Sequence, residues 1–378
     1  MQNLTFDQFS ALLSTVFGGL PGDPSLVIMV DLPGGGIPDT PAWADRRSLA
    51  LEWYTLVRDN RGKTPFRNVR LCAYLNVGSN NNDLPEDGRL VDSLPQMADP
   101  GGGRGVRLGD ILDASAVVLA PTEFSATAPL KILARSVGFR GATLPGFSRS
   151  MLPTLSLDYE KINTRVGLLK GRMDRAESAD ILFDVSGVIY KLTLDLRHRT
   201  GHASGGLMRE PGVVGNLPSG EAYIVPYEGE KGGDPSRSSG ELPVQFGSEV
   251  VLFRIESNRA TGVISEGPQA SLQAKLLAQE PAYGNIAELG LGVLGDWGLK
   301  AMGSTLVDEK LGPHIAFGRS DHFGGVTAPS SFRKKENVVH TDWVYVPSIQ
   351  PDVAVVRIEF QYAGGGREEV YRTGRVVV

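Results

Sequence analysis

Five histidines in 378 residues is a small number, and every one lies in the second half of the chain, at positions 198, 202, 314, 322 and 340. One of them, His340, lies in the stretch VVHTDWVY (338–345), two residues before an aspartate and inside an apolar run. Side chains alternate along a β-strand, so His340, Asp342 and Val344 would share one face. An imidazole and a carboxylate side by side suit a shared metal ion, or a plain His–Asp hydrogen bond. Burying either group alone would be costly, so the pair needs a reason.

Three further segments carry groups of the same kind. Glu221 follows Pro-Ser-Gly in GNLPSGEAYIVPYEGE, Glu288 lies among small and apolar residues in NIAELGLG, and His314 begins LGPHIAFGRSDHFGG with Asp321 and His322 beyond it. Two glutamates, two histidines and an aspartate form a mixed nitrogen and oxygen set suited to zinc, manganese, cobalt or ferrous iron. Each also has a plain structural use: a cap for Glu221, an arginine partner for Glu288, a satisfied core position for His314. The loop DLRHRTGHASGGLMREPG (195–212) gathers Arg197, His198 and His202. It reads either as scattered solvated charge or as a place where an arginine orients a substrate carboxylate or amide oxygen.

The elements around these segments divide the chain. Before residue 185, buried strands such as SLVIMVD and NVRLCAYLN alternate with helices such as TPAWADRRSLALEWYTLVRD, the pattern of an α/β domain with a mainly parallel sheet. Thr5 and Gln8 are spaced as a capping box for an opening helix. From 186 to 378 short β-runs separated by Gly, Pro and polar turns predict a β-rich α+β domain that holds the chemistry. The glycine triplet PGGGIP (33–38) follows a strand but has neither the spaced glycines of a dinucleotide loop nor the Lys-Ser/Thr of a P-loop.

A net charge of −5 argues against nucleic acid or an anionic membrane as partner. Hydrophobic and charged contents of 41% and 21% fit a soluble globular protein, no run reaches membrane-spanning length, and a cytoplasmic location is expected. The single cysteine, Cys72, excludes an internal disulfide and reads as a small buried hydrophobe.

Taken in order, NLPSGEAY, AELG, HIAFG and HTD resemble peptidase family M29, the metallo-aminopeptidases, over residues 190–378, and REEVYRTGR is similar to that family's closing segment. The resemblance implies a two-domain homodimer with Glu221, Glu288, His314, His340 and Asp342 binding two divalent ions (zinc, cobalt or manganese). It implies a peptide or small-molecule substrate, with Glu221 the carboxylate beside the reacting water. One departure stands out. The family's catalytic tyrosine falls at Asp321, which leaves Asp321 and His322 to supply a donor there. A related group, resembling 2,5-dihydroxypyridine dioxygenase, uses one ferrous iron and implies ring cleavage; a histidine is expected there near the place of Glu288. A third possibility is a binding scaffold that has lost catalysis.

Overall fold

The computed structural model describes residues 3–20, 22 and 24–378. They fall into two units. The first comprises 1–161 with 206–219, and the second comprises 162–205 with 220–378. This differs from the single boundary expected at 185. Residue 185 lies inside a hairpin, because Ala176–Val185 pairs with Val188–Asp195 and Val185 faces Val188 across the turn. The segment 206–219 meanwhile returns to the first unit.

The first unit is built on a seven-stranded sheet in the order Val214–Asn216, Arg140–Thr143, Val117–Ala120, Ser25–Leu32, Asn68–Leu75, Asp87–Val91, Arg104–Arg107. The first five strands run parallel and the last two join antiparallel. This is the α/β layer expected from alternation. Seven of eight residues in Ser25–Leu32 are buried, as a doubly covered parallel strand requires. The capping box forms, with the Thr5 hydroxyl accepting from the Gln8 N–H and the Gln8 side chain accepting from the Thr5 N–H. Thr40 caps the helix Pro41–Asp59, whose first residue is the proline. Cys72 is buried in its strand, and burial pushes its thiol up to about 12. The PGGGIP segment closes on itself through reciprocal bonds between Gly34 and Ile37.

The second unit holds two antiparallel sheets. Eight strands form one, in the order Arg259–Val263, Glu249–Glu256, Ser239–Phe246, Val188–Asp195, Ala176–Val185, Ala354–Tyr362, Arg367–Arg372, Arg375–Val376. The triplet AGGGRE makes the turn between Ala354–Tyr362 and Arg367–Arg372.

The other sheet carries the candidate site. Its order is the His340 strand (His340–Val344), the His314 strand (Pro313–Gly318), the Glu288 strand (Ile286–Gly292), the Glu221 strand (Glu221–Ile224) and the His202 strand (His202–Ser204). One face packs on the larger sheet through aromatic pairs: Phe317 with Phe253 at 5.3 Å and Trp343 with Phe246 at 4.9 Å between ring centroids. Period-two alternation then turns His314, His340 and Asp342 to the opposite face. Among the described residues no helix is long and apolar enough to cross a membrane.

Candidate metal centre

Strand register gathers the five groups. Tyr223 lies opposite Gly290, Gly290 opposite His314, and His314 opposite Val344. One step along, Glu288 lies opposite Ala316 and Ala316 opposite Asp342, while His340 faces Gly318. A β-bulge between Ile286 and Glu288 sets that alignment. The positions between the polar groups are therefore glycine or alanine. At Gly290 a Cβ would meet the His314 Nε2 at 1.9 Å, so the imidazole lies across the bare backbone of the neighbouring strand.

Two triads result, Glu221–Glu288–His314 and Glu288–His340–Asp342, each with one ligand atom per residue within 4.8 Å of the others. Glu288 belongs to both. Its Oε1 lies 3.1 Å from His314 Nε2 and its Oε2 lies 3.4 Å from His340 Nε2. Glu221 Oε2 is 3.7 Å from His314 Nε2, and Asp342 Oδ1 is 3.5 Å from His340 Nε2. The far nitrogens are held by backbone: His340 Nδ1 donates to Arg319 O at 2.7 Å, and His314 Nδ1 faces Gly312 O at 3.4 Å. A carbonyl only accepts, so Nδ1 carries the proton and Nε2 is the nitrogen turned to the carboxylates. Metal-ligating histidines are oriented in this way.

The donor set fits a metal. Glu221 Oε2 is buried with no hydrogen-bond partner, an arrangement that is costly unless a cation completes it. Without a metal, protons take the cation's place. Burial pulls His314 and His340 down, but the facing carboxylates outweigh it and leave them at about 10 and about 11. Burial likewise raises Glu288, yet hydrogen bonds from both imidazoles bring it to about 2.

Two residues that sequence reasoning missed complete the cluster. Lys310, fully buried, lies 3.3 Å from Glu221 Oε1 and forms an ion pair with Glu309. Burial raises the Glu309 carboxyl; Lys310 opposes this and the charges of Glu221 and Asp342 add to it, leaving it at about 7. Both sit in the short turn Glu309–Leu311, whose backbone at Lys310 would be 2.2 Å from a Cβ at Gly292. The available signal was the charged run Asp308–Lys310, four to six residues before His314 and flanked by Leu306, Val307 and Leu311.

An aromatic wall flanks the cluster. His202 stacks on Tyr223 at 5.0 Å, Phe323 meets Tyr223 edge-on at 5.0 Å, and His322 packs on Phe323 at 3.9 Å and faces His340 at 5.4 Å. Burial, with the nearby His340 and Arg319 charges, lowers His322 to about 4. Glu228 ties the loop carrying these groups, accepting from the Ser320 hydroxyl and from the Thr327 hydroxyl at 2.7 Å. Asp321 is turned to Arg319 and belongs to neither triad. Of Arg197, His198 and His202, only His202 reaches the wall, where its Nε2 donates to Phe323 O at 2.9 Å. Arg197 is bound by Asp195 and Asp234, and His198 by Asp234 and Tyr227, rather than by any of the five candidate ligands.

No family model matches the sequence, and no curated protein matches it. Two solved structures are similar along nearly the whole chain. For 2,5-dihydroxypyridine dioxygenase from Pseudomonas putida the TM-score is 0.59 at 14% identity, covering 99% of this chain and 96% of that one. For AmpT from Thermus thermophilus, an M29 aminopeptidase, it is 0.55 at 16% identity, covering 98% and 99%. The fold expected from the M29 resemblance is thus borne out, and at these identities the likeness is one of fold.

Proposed function

We propose that the chain is a two-metal hydrolase that releases the N-terminal residue of peptides. The observation that carries this reading is Glu288, one carboxylate with an oxygen toward each of two triads, the arrangement that lets two cations share a ligand. Glu221, Glu288 and His314 would hold one ion, and Glu288, His340 and Asp342 the other. The ions supply Lewis acidity, acidifying water and polarising a carbonyl oxygen.

The chain's own groups do the rest. Glu309, ion-paired with the Lys310 that also meets Glu221 and outside both triads, would take the water's proton and return it to the leaving amine. Lys310 balances Glu221 and Glu309, which lowers the net negative charge of the cluster. The wall of His202, Tyr223, Phe323 and His322 receives the side chain of the released residue. Neutral His322 stands beside it as the donor to the tetrahedral oxygen, in place of the absent tyrosine. Homodimeric assembly belongs to the same proposal and is read by light scattering.

A second reading rests on the fold likeness to 2,5-dihydroxypyridine dioxygenase and on residue type: His314, His340 and Asp342 are two imidazoles and a carboxylate, the donor set of a mononuclear ferrous oxygenase. The test is common to both. Protein loaded with zinc, cobalt or manganese is incubated with Leu-Ala-Ala amide, and free leucine is measured with and without chelator and in Glu221→Gln. Chelator-sensitive release lost in the variant supports the hydrolase. Oxygen uptake with 2,5-dihydroxypyridine by the iron-loaded chain, and no leucine, replaces it with the oxygenase.

A further inference from the structure

The His340 strand is an edge of its sheet. Its neighbour fixes which backbone groups are used. Tyr345 N–H donates to Pro313 O and Arg319 N–H donates to Val339 O, both at 2.8 Å, on the register that sets Trp343 opposite Ile315. In an antiparallel ladder hydrogen-bonded pairs alternate, so the odd-numbered residues of this strand bond inward. The N–H and C=O groups of His340, Asp342 and Val344 therefore point out of the sheet. Val344 O is already taken, by the Gln350 side-chain amide at 3.0 Å. The outward groups of His340 and Asp342 remain, and they belong to the two residues whose side chains join the second triad.

A cavity of about 420 Å3 opens along this edge, within the roughly 300–1,000 Å3 of small-ligand sites. Thr341 and Trp343 of the strand line it together with Ser304, Thr305 and Ile349. We propose that this edge binds the substrate peptide as an added strand, its backbone pairing with His340 and Asp342 and its terminal amine delivered to Glu288, His340 and Asp342. The inference rests on the peptidase reading and adds the binding mode that selects for extended peptides. Main-chain pairing would give affinity without regard to sequence, leaving selectivity to the pocket walls.

The length of the edge favours a short peptide over a strand from a second copy. Two outward-facing residues span roughly 7 Å at 3.3–3.4 Å per residue before Gln350 closes the row. That suits two or three substrate residues and is too short for a strand pairing between whole chains.

Two measurements on the full chain test this. The first is amide hydrogen exchange in the metal-free protein with and without Leu-Ala-Ala-Ala amide. Exchange at His340 and Asp342 is expected to slow about tenfold or more. The second is kcat/KM of the metal-loaded protein for the same peptide singly N-methylated at each amide. Methylation at alternate positions is expected to cost about tenfold and at the positions between them little, because only every second group faces the ladder. Cleavage with uniform tolerance of methylation and no protection would overturn the edge while leaving the peptidase intact. Protection with no cleavage keeps the edge and removes the peptidase reading. Protection that follows protein concentration rather than peptide gives the edge to a second copy and overturns the inference.

Discussion

Replacing Glu288 by glutamine is the sharpest perturbation of the cluster, because one carboxylate serves both triads. The substitution keeps the shape and removes the charge. In the metal-free protein Glu288 takes charge-assisted hydrogen bonds from two imidazoles, at 3.1 Å and 3.4 Å. Such bonds contribute about 1.5–3 kcal/mol each, and glutamine keeps one neutral acceptor worth about 1 kcal/mol, so the loss is about 2–5 kcal/mol. With metal the effect differs in kind. Glu221→Gln and Asp342→Asn each damage one triad, whereas Glu288→Gln damages both. Elemental analysis after equilibration with zinc is therefore expected to give about two ions per chain for the parent, about one for each outer variant and none for Glu288→Gln. Two ions retained in Glu288→Gln, or the same single loss in all three variants, would refute the shared-ligand geometry.

Three other perturbations have definite expected outcomes. Gly290→Ala places a methyl within 1.9 Å of His314 Nε2, so it should abolish occupancy of the Glu221–Glu288–His314 triad while the fold survives, read by zinc stoichiometry and circular dichroism. Lys310→Met leaves Glu221 and Glu309 facing each other without a cation; the metal-free protein should lose about 3–5 kcal/mol, and zinc should raise its unfolding temperature more than the parent's. Cys72 titrates at about 12 when folded against 9.0 for a free thiol. A raised folded value means its contribution is whole below pH 9 and is lost as pH climbs toward 12, at most about 4 kcal/mol. Denaturation of Cys72→Ala should accordingly be less steeply pH-dependent over that range.

Much of this was legible in the amino-acid order, for reasons that are local. Alternation in VVHTDWVY placed Trp343 on the core side and His340 with Asp342 on the other, which the aromatic packing confirms. Buried strands alternating with helices gave the first unit's layer. What could not be read depends on pairing between distant segments. That Glu288 belongs to both triads follows from a bulge and a register, neither of which leaves a mark in NIAELGLG. Glu309 and Lys310 occupy a three-residue turn without periodicity, and a charged doublet ordinarily means solvent. Arg197 and His198 looked available because a shared partner, Asp234, lies 37 and 36 positions away from them in sequence; only the fold shows the ion pairs closed.

The excursion of residues 206–219 bears on how the molecule is made. The first unit's sheet lacks its Val214–Asn216 strand until that segment has been synthesised, by which point the hairpin Ala176–Asp195 of the second unit already exists. Domains of a growing chain ordinarily fold one after another. Here neither half is a continuous stretch, so the two maturations overlap in time. A genetic cut at 185 would hand each fragment a sheet with a missing member.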